Sequence, residues 1–209
     1  MNKKEQVKKI VEILSKEYRN AECTLDYKTP LQLLISTILA AQCTDARVNI
    51  VTKDLYAKYT DISKFADANL EELEQDIKAT GFYRNKAKNI KACCKLIKDN
   101  FNGKVPDNME DLLSLNGVGR KTANLILGEV FGKSAVVVDT HCARLTNRIG
   151  LTKNKDATKI EFDLKKIIEP NEQLKFCHLM VCHGRNICKA RKPMCDICSI
   201  RDICKKNIQ

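Results

Sequence analysis

Apolar residues recur along this chain at the spacing of a helix face almost throughout. In VKKIVEIL, Val7, Ile10, Val11 and Leu14 stand at i, i+3, i+4 and i+7, one stripe of a helix. Thr29-Pro30 reads as an N-cap followed by proline at the first helical position. It opens a buried helix through Leu31, Leu34, Ile35, Ile38 and Leu39. Asn69 with Glu72 predicts a capping box, and Gly81 stands where that helix would stop. A further helix is predicted from Asn85 to Asn100, with Ala87, Ile90, Cys94 and Ile97 on one side and Gly103 and Pro106 closing it. The last helix covers roughly Glu172 to His183. Only SAVVV, Ser134–Val138, reads as a strand. The pattern predicts an all-α protein with short loops and no repeats. A domain boundary is expected near Phe131–Lys133, where an apolar helix ends at Gly132.

Charge narrows the partners. Lys plus Arg number 37 against 26 Asp plus Glu in 209 residues, a formal net charge of +11. That excess suits a polyanion, nucleic acid or an anionic membrane surface. The opening MNKKEQVKKI has no apolar signal-peptide region. The longest apolar run, LQLLISTILAAQ from Leu31, is too short to span a bilayer. A soluble cytoplasmic protein is expected, with no membrane association. The 11 cysteines are odd in number and most are scattered, which argues against a secreted disulfide framework.

The stretch SLNGVGRKTAN joins two helical periodicities, Met109–Leu115 and Arg120–Val130, through Asn116-Gly-Val-Gly. This is a helix–hairpin–helix. Gly117 and Gly119 permit positive φ and close approach of the backbone to a ligand. The first N–H groups of the second helix have no intrahelical partner and form an anion site, which a DNA phosphate fits. The plain alternative is an αα turn that needs glycine only for its geometry.

The C-terminus reads CKARKPMCDICSIRDIC. Cys188, Cys195, Cys198 and Cys204 are spaced C-x6-C-x2-C-x5-C, the pattern of four thiolate ligands. Four cysteines suit zinc or an iron–sulfur cluster. The spacing departs from the paired C-x2-C of zinc ribbons and leans towards [4Fe–4S]. Between the first two ligands lie Lys189, Arg191 and Lys192, a basic finger suited to phosphate if a cluster holds the loop rigid. A solvated charge run is the alternative.

The glycine hairpin with Lys121, the cysteine tail and VDTHCARLTNR between them resemble the endonuclease III family. These are the iron–sulfur DNA glycosylase/AP lyases of the helix–hairpin–helix superfamily. The resemblance runs from LLISTILAAQCTD to the last cysteine. It implies two helical domains, residues 23–132 with the hairpin and residues 1–22 plus 133–209 around a [4Fe–4S] cluster. It implies that Lys121 is the catalytic lysine and Asp139 the catalytic aspartate. Gln42 matches the glutamine that the family inserts into the DNA helix, and Phe82 matches its wedge on the opposite strand. Gly117, Gly119, Arg120, Lys189, Arg191 and Lys192 complete the expected DNA contacts. Two positions depart from the family pattern: Asn116 stands where proline is expected, and Phe82 where an aliphatic residue is expected.

These residue types suit the chemistry. A glycosylase must take the base out of the stack to reach C1′. The Lys121 amine could attack C1′, expel the base and form a Schiff base that acidifies the C2′ proton for β-elimination. Burial, the helix N-terminus and Arg120 are expected to favour its neutral form. Asp139 precedes a helix, so it is an N-cap candidate as well as a charge for the positive sugar of the transition state. His141 reads as a hydrogen-bonding helper, and His178 and His183 as donors to cluster sulfurs. The expected function is base excision repair of oxidised pyrimidines and abasic sites in double-stranded DNA, by a nucleoid-associated monomer. An adenine glycosylase of the mismatch type and a zinc-stabilised DNA-binding module are the competing readings. Lys121 argues against the first, whose branch lacks that lysine and carries a large extra C-terminal domain, and Lys121 with Asp139 argues against the second.

Overall fold

The computed structural model describes residues 1–208. The chain forms two compact units, one from Met1–Glu22 with Gly132 onwards, the other from Cys23–Phe131. The first unit starts with α1 (Lys3–Glu17), whose N-cap Asn2 forms a full capping box with Glu5. The apolar stripe read from the sequence, Val7, Ile10, Val11 and Leu14, is the buried face of α1. Each such side chain contributes roughly 1.5–3 kcal/mol on burial.

The second unit holds seven α-helices in chain order: α2 (Pro30–Leu39), α3 (Asp45–Lys58), α4 (Ile62–Ala66), α5 (Leu70–Asp76), α6 (Tyr83–Asn100), α7 (Met109–Ser114) and α8 (Arg120–Glu129). Thr29 caps α2 as expected, its side chain accepting the Gln32 N–H at 3.2 Å. Asn69 caps α5 through the Glu72 N–H at 3.0 Å, but the reciprocal Glu72 contact of a capping box is not formed. Gly81, at φ 69°, ends a single 3₁₀ turn, Lys78–Thr80, that continues from α5. Helices α2, α6 and α8 supply the centre of the core, with Leu34, Ile90 and Ile126 fully buried. α3 was not legible as a helix, because only Val48, Thr52 and Leu55 of its residues are buried and its apolar stripe is thin.

The chain then returns to the first unit with α9 (Thr140–Ile149), α10 (Ala157–Lys165) and α11 (Gln173–Asn186), and ends in short turns around the cysteines. α11 packs on both α1 and α9. A Cβ on Gly184 would lie 2.6 Å from His141 Nδ1, so glycine is what lets α11 approach α9 this closely. The expected strand is not formed. Ala135–Val138 are buried, but no strand is found among the described residues, and the Val137 N–H donates to Cys177 Sγ at 3.2 Å. A β-branched run reads as strand because it is apolar, yet a ladder needs a neighbour with unpaired backbone groups. Here the neighbours are helices, whose backbone groups are already used. No helix among the described residues is long and apolar enough to cross a membrane.

Candidate active site and cluster loop

The hairpin is built from the backbone outward. α7 stops at Ser114, the Val118 N–H returns to the Leu115 carbonyl at 3.2 Å, and the buried Val118 side chain anchors the turn in the core. Gly117 has φ 78°, and a Cβ there would sit 3.0 Å from Asn89 Cβ, so both conformation and space call for glycine. Gly119 is the N-cap of α8 and makes no side-chain cap. The first-turn N–H groups of α8 are therefore left without a capping side chain, and a Cβ on Gly119 would meet only open space. A phosphate can approach this backbone directly. Asn116, in the place expected for proline, is exposed and leaves this geometry intact.

Lys121 is the second residue of α8 and its side chain is exposed, while Arg120 is half-buried. The burial expected at Lys121 is therefore absent within the chain. The helix leaves its N-terminal turn in solvent and buries only from Ala123 onward. Asp139, in the other unit, is half-buried and caps α9, accepting the Cys142 N–H at 2.7 Å. Its structural role is thus real, and its second carboxylate oxygen remains outside that bond.

Gln42 and Phe82 share an unusual backbone. Gln42 is exposed at φ 54°, in the turn after α2 rather than on the helix end. Phe82 has φ 49° and ψ 26° and is 62% exposed, which excludes a core role. Lys192, in the basic loop, is left-handed as well, at φ 53°. For residues with a Cβ this conformation costs about 1 kcal/mol or more and concentrates at functional sites. The sequence carries no signal for it, since glycine is the residue that normally marks such positions.

In the cysteine tail, Cys188, Cys195, Cys198 and Cys204 line one cavity together with apolar side chains such as Leu145, Ile149 and Ile200. A single tetrahedral zinc would draw the thiols to roughly 3.8 Å from one another. Among the described residues no three His, Cys, Asp or Glu side chains converge on one metal-ion position. Four thiols ringing a shared apolar space fit a multi-iron cluster. Burial pushes the Cys198 and Cys204 thiols up, so loading iron here must release protons.

Donors already surround the sulfurs. His183, buried in α11, has Nε2 3.3 Å from Cys198 Sγ, as the sequence suggested, and its Nδ1 is 3.1 Å from the Tyr18 hydroxyl. Burial pushes the Tyr18 phenol well up, so it stays protonated. A thiolate sulfur can only accept, so against a thiolate Nε2 of His183 is the nitrogen that carries the hydrogen. The Lys206 N–H donates to Cys204 Sγ at 3.3 Å.

Two residues that sequence reasoning missed hold the basic loop. Arg148 on α9 donates to the Lys189 carbonyl at 2.7 Å and the Ala190 carbonyl at 2.9 Å, and reaches Cys188 Sγ at 3.5 Å. Arg144, one turn earlier, donates to the Gly184 and Cys188 carbonyls. It also meets His141 Nδ1 at 3.1 Å, which makes that nitrogen the acceptor, and burial holds the His141 pKa below its ordinary value. The spacing of Arg144 and Arg148 at i and i+4 was the available signal. Lys189, Arg191 and Lys192 themselves are exposed.

Comparisons with known proteins agree with this arrangement. Residues 35–170 match the model of the HhH-GPD superfamily base excision DNA repair proteins, and residues 188–204 match the iron–sulfur binding domain of endonuclease III. Endonuclease III of Synechocystis sp. is 49% identical over 97% of this chain and 93% of its own length. The Bacillus subtilis protein of that name is 40% identical over 90% of this chain and 87% of its own. Two solved structures, a non-covalent endonuclease III–DNA complex and a trapped endonuclease III–DNA covalent intermediate, each superpose with a TM-score of 0.93 at 41% identity. They cover 99% of this chain and 97% of the other. With its capless glycine hairpin and its cysteine-ringed cavity, the chain belongs to the endonuclease III family of base excision DNA repair glycosylases and carries that family's [4Fe–4S] cluster.

Proposed function

We propose that Lys121 is the covalent nucleophile and Asp139 the transition-state charge of a bifunctional DNA glycosylase/AP lyase. The enzyme removes oxidised pyrimidines from double-stranded DNA and cuts 3′ to the abasic site. The observation that carries this reading is the placing of Lys121, exposed in the first turn of the helix that the glycine hairpin presents to phosphate. A strand gripped by the hairpin backbone lies one helical step from the Lys121 amine. The amine attacks C1′, the C1′–N bond breaks, and the damaged base leaves with a proton taken from the attacking amine. The sugar ring then opens: the C1′–O4′ bond breaks, O4′ takes a proton, and the lysine nitrogen's lone pair forms the C=N bond. The resulting Schiff base acidifies C2′, whose proton is lost as the 3′ C–O bond breaks, which cuts the strand. Asp139 stabilises the positive sugar and accepts protons from the lysine. That a 41% identical relative was trapped as a covalent intermediate with DNA supports a covalent route.

Cys188, Cys195, Cys198 and Cys204 are the cluster ligands in this reading. When bound, the cluster would be held by these four thiolates and would crosslink the tail. This chain's own Arg148 and Arg144 then aim Lys189, Arg191 and Lys192 at phosphates. Gln42 and Phe82 enter the duplex and fill the space of the extruded base and its neighbour. Gly117, Gly119 and Arg120 hold the bent strand. The protein works as a monomer at the nucleoid.

Borohydride reduction tests the central step. Wild-type protein should be trapped on duplex DNA containing thymine glycol or an abasic site, with the adduct on Lys121. Lys121→Gln should bind the same duplex, form no adduct and make no cut. Its stability should change by no more than about 0.5 kcal/mol, because the side chain is exposed. An adduct formed by Lys121→Gln would put the nucleophile elsewhere.

A further inference from the structure

Lys86 lies in the first turn of α6, four residues after Phe82, and its backbone N–H donates to the Phe82 carbonyl at 3.1 Å. The residue is only 4% exposed. An ammonium so placed has lost its hydration and needs acceptors. Its Nζ donates to the Leu39 carbonyl at 2.7 Å and to the Thr80 carbonyl at 2.8 Å. Leu39 is the last residue of α2, where helix carbonyls lack partners and carry the negative end of the dipole. Gln42 follows three residues later. Thr80 ends the 3₁₀ turn before Gly81, and Phe82 follows two residues later. One cation therefore ties the stems of both loops whose tips, Gln42 and Phe82, are held in the left-handed region.

We propose that Lys86 is a positioning residue for base extrusion: by holding the Leu39 and Thr80 carbonyls on one ammonium, it sets the separation and aim of Gln42 and Phe82 before DNA arrives. The inference rests on the reading that Gln42 and Phe82 enter the duplex. Packing alone does not account for a lysine here. No carboxylate is among its partners, and burial pulls its pKa down, an effect partly offset by Cys43 beside it. An apolar side chain of the same length would fill this core position without the desolvation cost. What it could not do is bridge two loop stems at once. Fixing both tips in advance lowers the ordering cost of inserting them, which is where preorganisation acts.

The test separates this inference from the reading beneath it. The probe is a duplex with 2-aminopurine opposite a tetrahydrofuran abasic analogue, whose fluorescence rises on unstacking. Borohydride trapping on single-stranded abasic DNA, which needs no extrusion, is the control. Gln42→Ala and Phe82→Ala should each lose the fluorescence rise. If both kept it, the insertion reading would fall, whatever Lys86 does. Lys86→Met should lose the rise and cut duplex about tenfold more slowly or worse, the scale of misplaced contact groups. Its single-strand trapping should stay within about twofold of wild type, since the Lys121 helix is untouched. Gln42→Ala combined with Lys86→Met should be little worse than Gln42→Ala alone. Lys86→Arg, which keeps a cationic donor, should fall between wild type and Lys86→Met. Should Lys86→Met not fold, Lys86→Arg decides. A rise at least about threefold smaller with single-strand trapping kept supports the inference, because the planar fork re-aims the same two bonds. A full rise in the folded variants, or equal losses on duplex and single strand, would overturn it.

Discussion

Asp139→Asn separates the two roles that one carboxylate holds. In the folded chain Asp139 Oδ1 accepts the Cys142 N–H at 2.7 Å and caps α9. Asparagine keeps an oxygen of the same reach, and Asn and Asp rank together as caps. What is lost is a negative charge at the helix N-terminus, worth about 0.3–1 kcal/mol. The melting temperature should therefore fall by about 4 °C or less for a chain of this size. The chemistry should respond on another scale. Removing a charge aimed at the positive sugar should lower single-turnover cutting by about two orders of magnitude or more. Binding of a duplex with an abasic analogue should be unchanged or tighter, because a negative charge has left a surface that meets phosphates. Asp139→Ala is the complement: it loses the cap as well and should cost about 1 kcal/mol more in stability without a further comparable loss in rate. The measurements are thermal melts, binding of the analogue duplex and single-turnover nicking. Near-full activity in Asp139→Asn would reduce the aspartate to a helix cap and refute the reasoning.

Three further outcomes are expected. Anaerobically purified protein should be brown and carry about four irons per chain; colourless protein with one zinc would refute the ligand assignment, and removing any of the four cysteines should expose residues 189–204 to protease before the helical unit opens. Lys192→Ala should shallow the log–log salt dependence of duplex binding by about one unit, as for one lost phosphate contact. Phe82→Gly should leave thermal stability level or raised, because Phe82 is 62% exposed at φ 49°, while duplex binding and cutting fall.

Much of this protein was determined by local sequence alone. A helix face declares itself within two turns, so the buried stripe of α1, the Thr29–Pro30 start of α2 and the hairpin glycines were all legible in the order of residues itself. That the four cysteines come together was legible for a related reason: they lie close together in the chain, and the structure sets all four on one cavity. Lys121 and Asp139 are proposed from motifs, but their surroundings could not be read there. The burial expected around Lys121 is missing, and Asp139 proves to be an N-cap whose partner is seen only once α9 is formed.

Tertiary structure decided whatever depends on groups distant in sequence or on backbone conformation that side chains do not announce. Ser134–Val138 has the composition of a strand, yet only the fold could show that no unpaired backbone lies beside it. Arg148 looks like any helix-surface arginine until the Lys189 and Ala190 carbonyls, some forty residues on, arrive at its guanidinium. Gln42 and Phe82 gave no hint of positive φ, because neither is glycine, the residue that ordinarily marks such an angle. Lys86 is the sharpest case. It reads as an ordinary charge on a helix, and it becomes a buried tie because Leu39 and Thr80 bring two unpaired carbonyls to it, and desolvation makes those bonds matter.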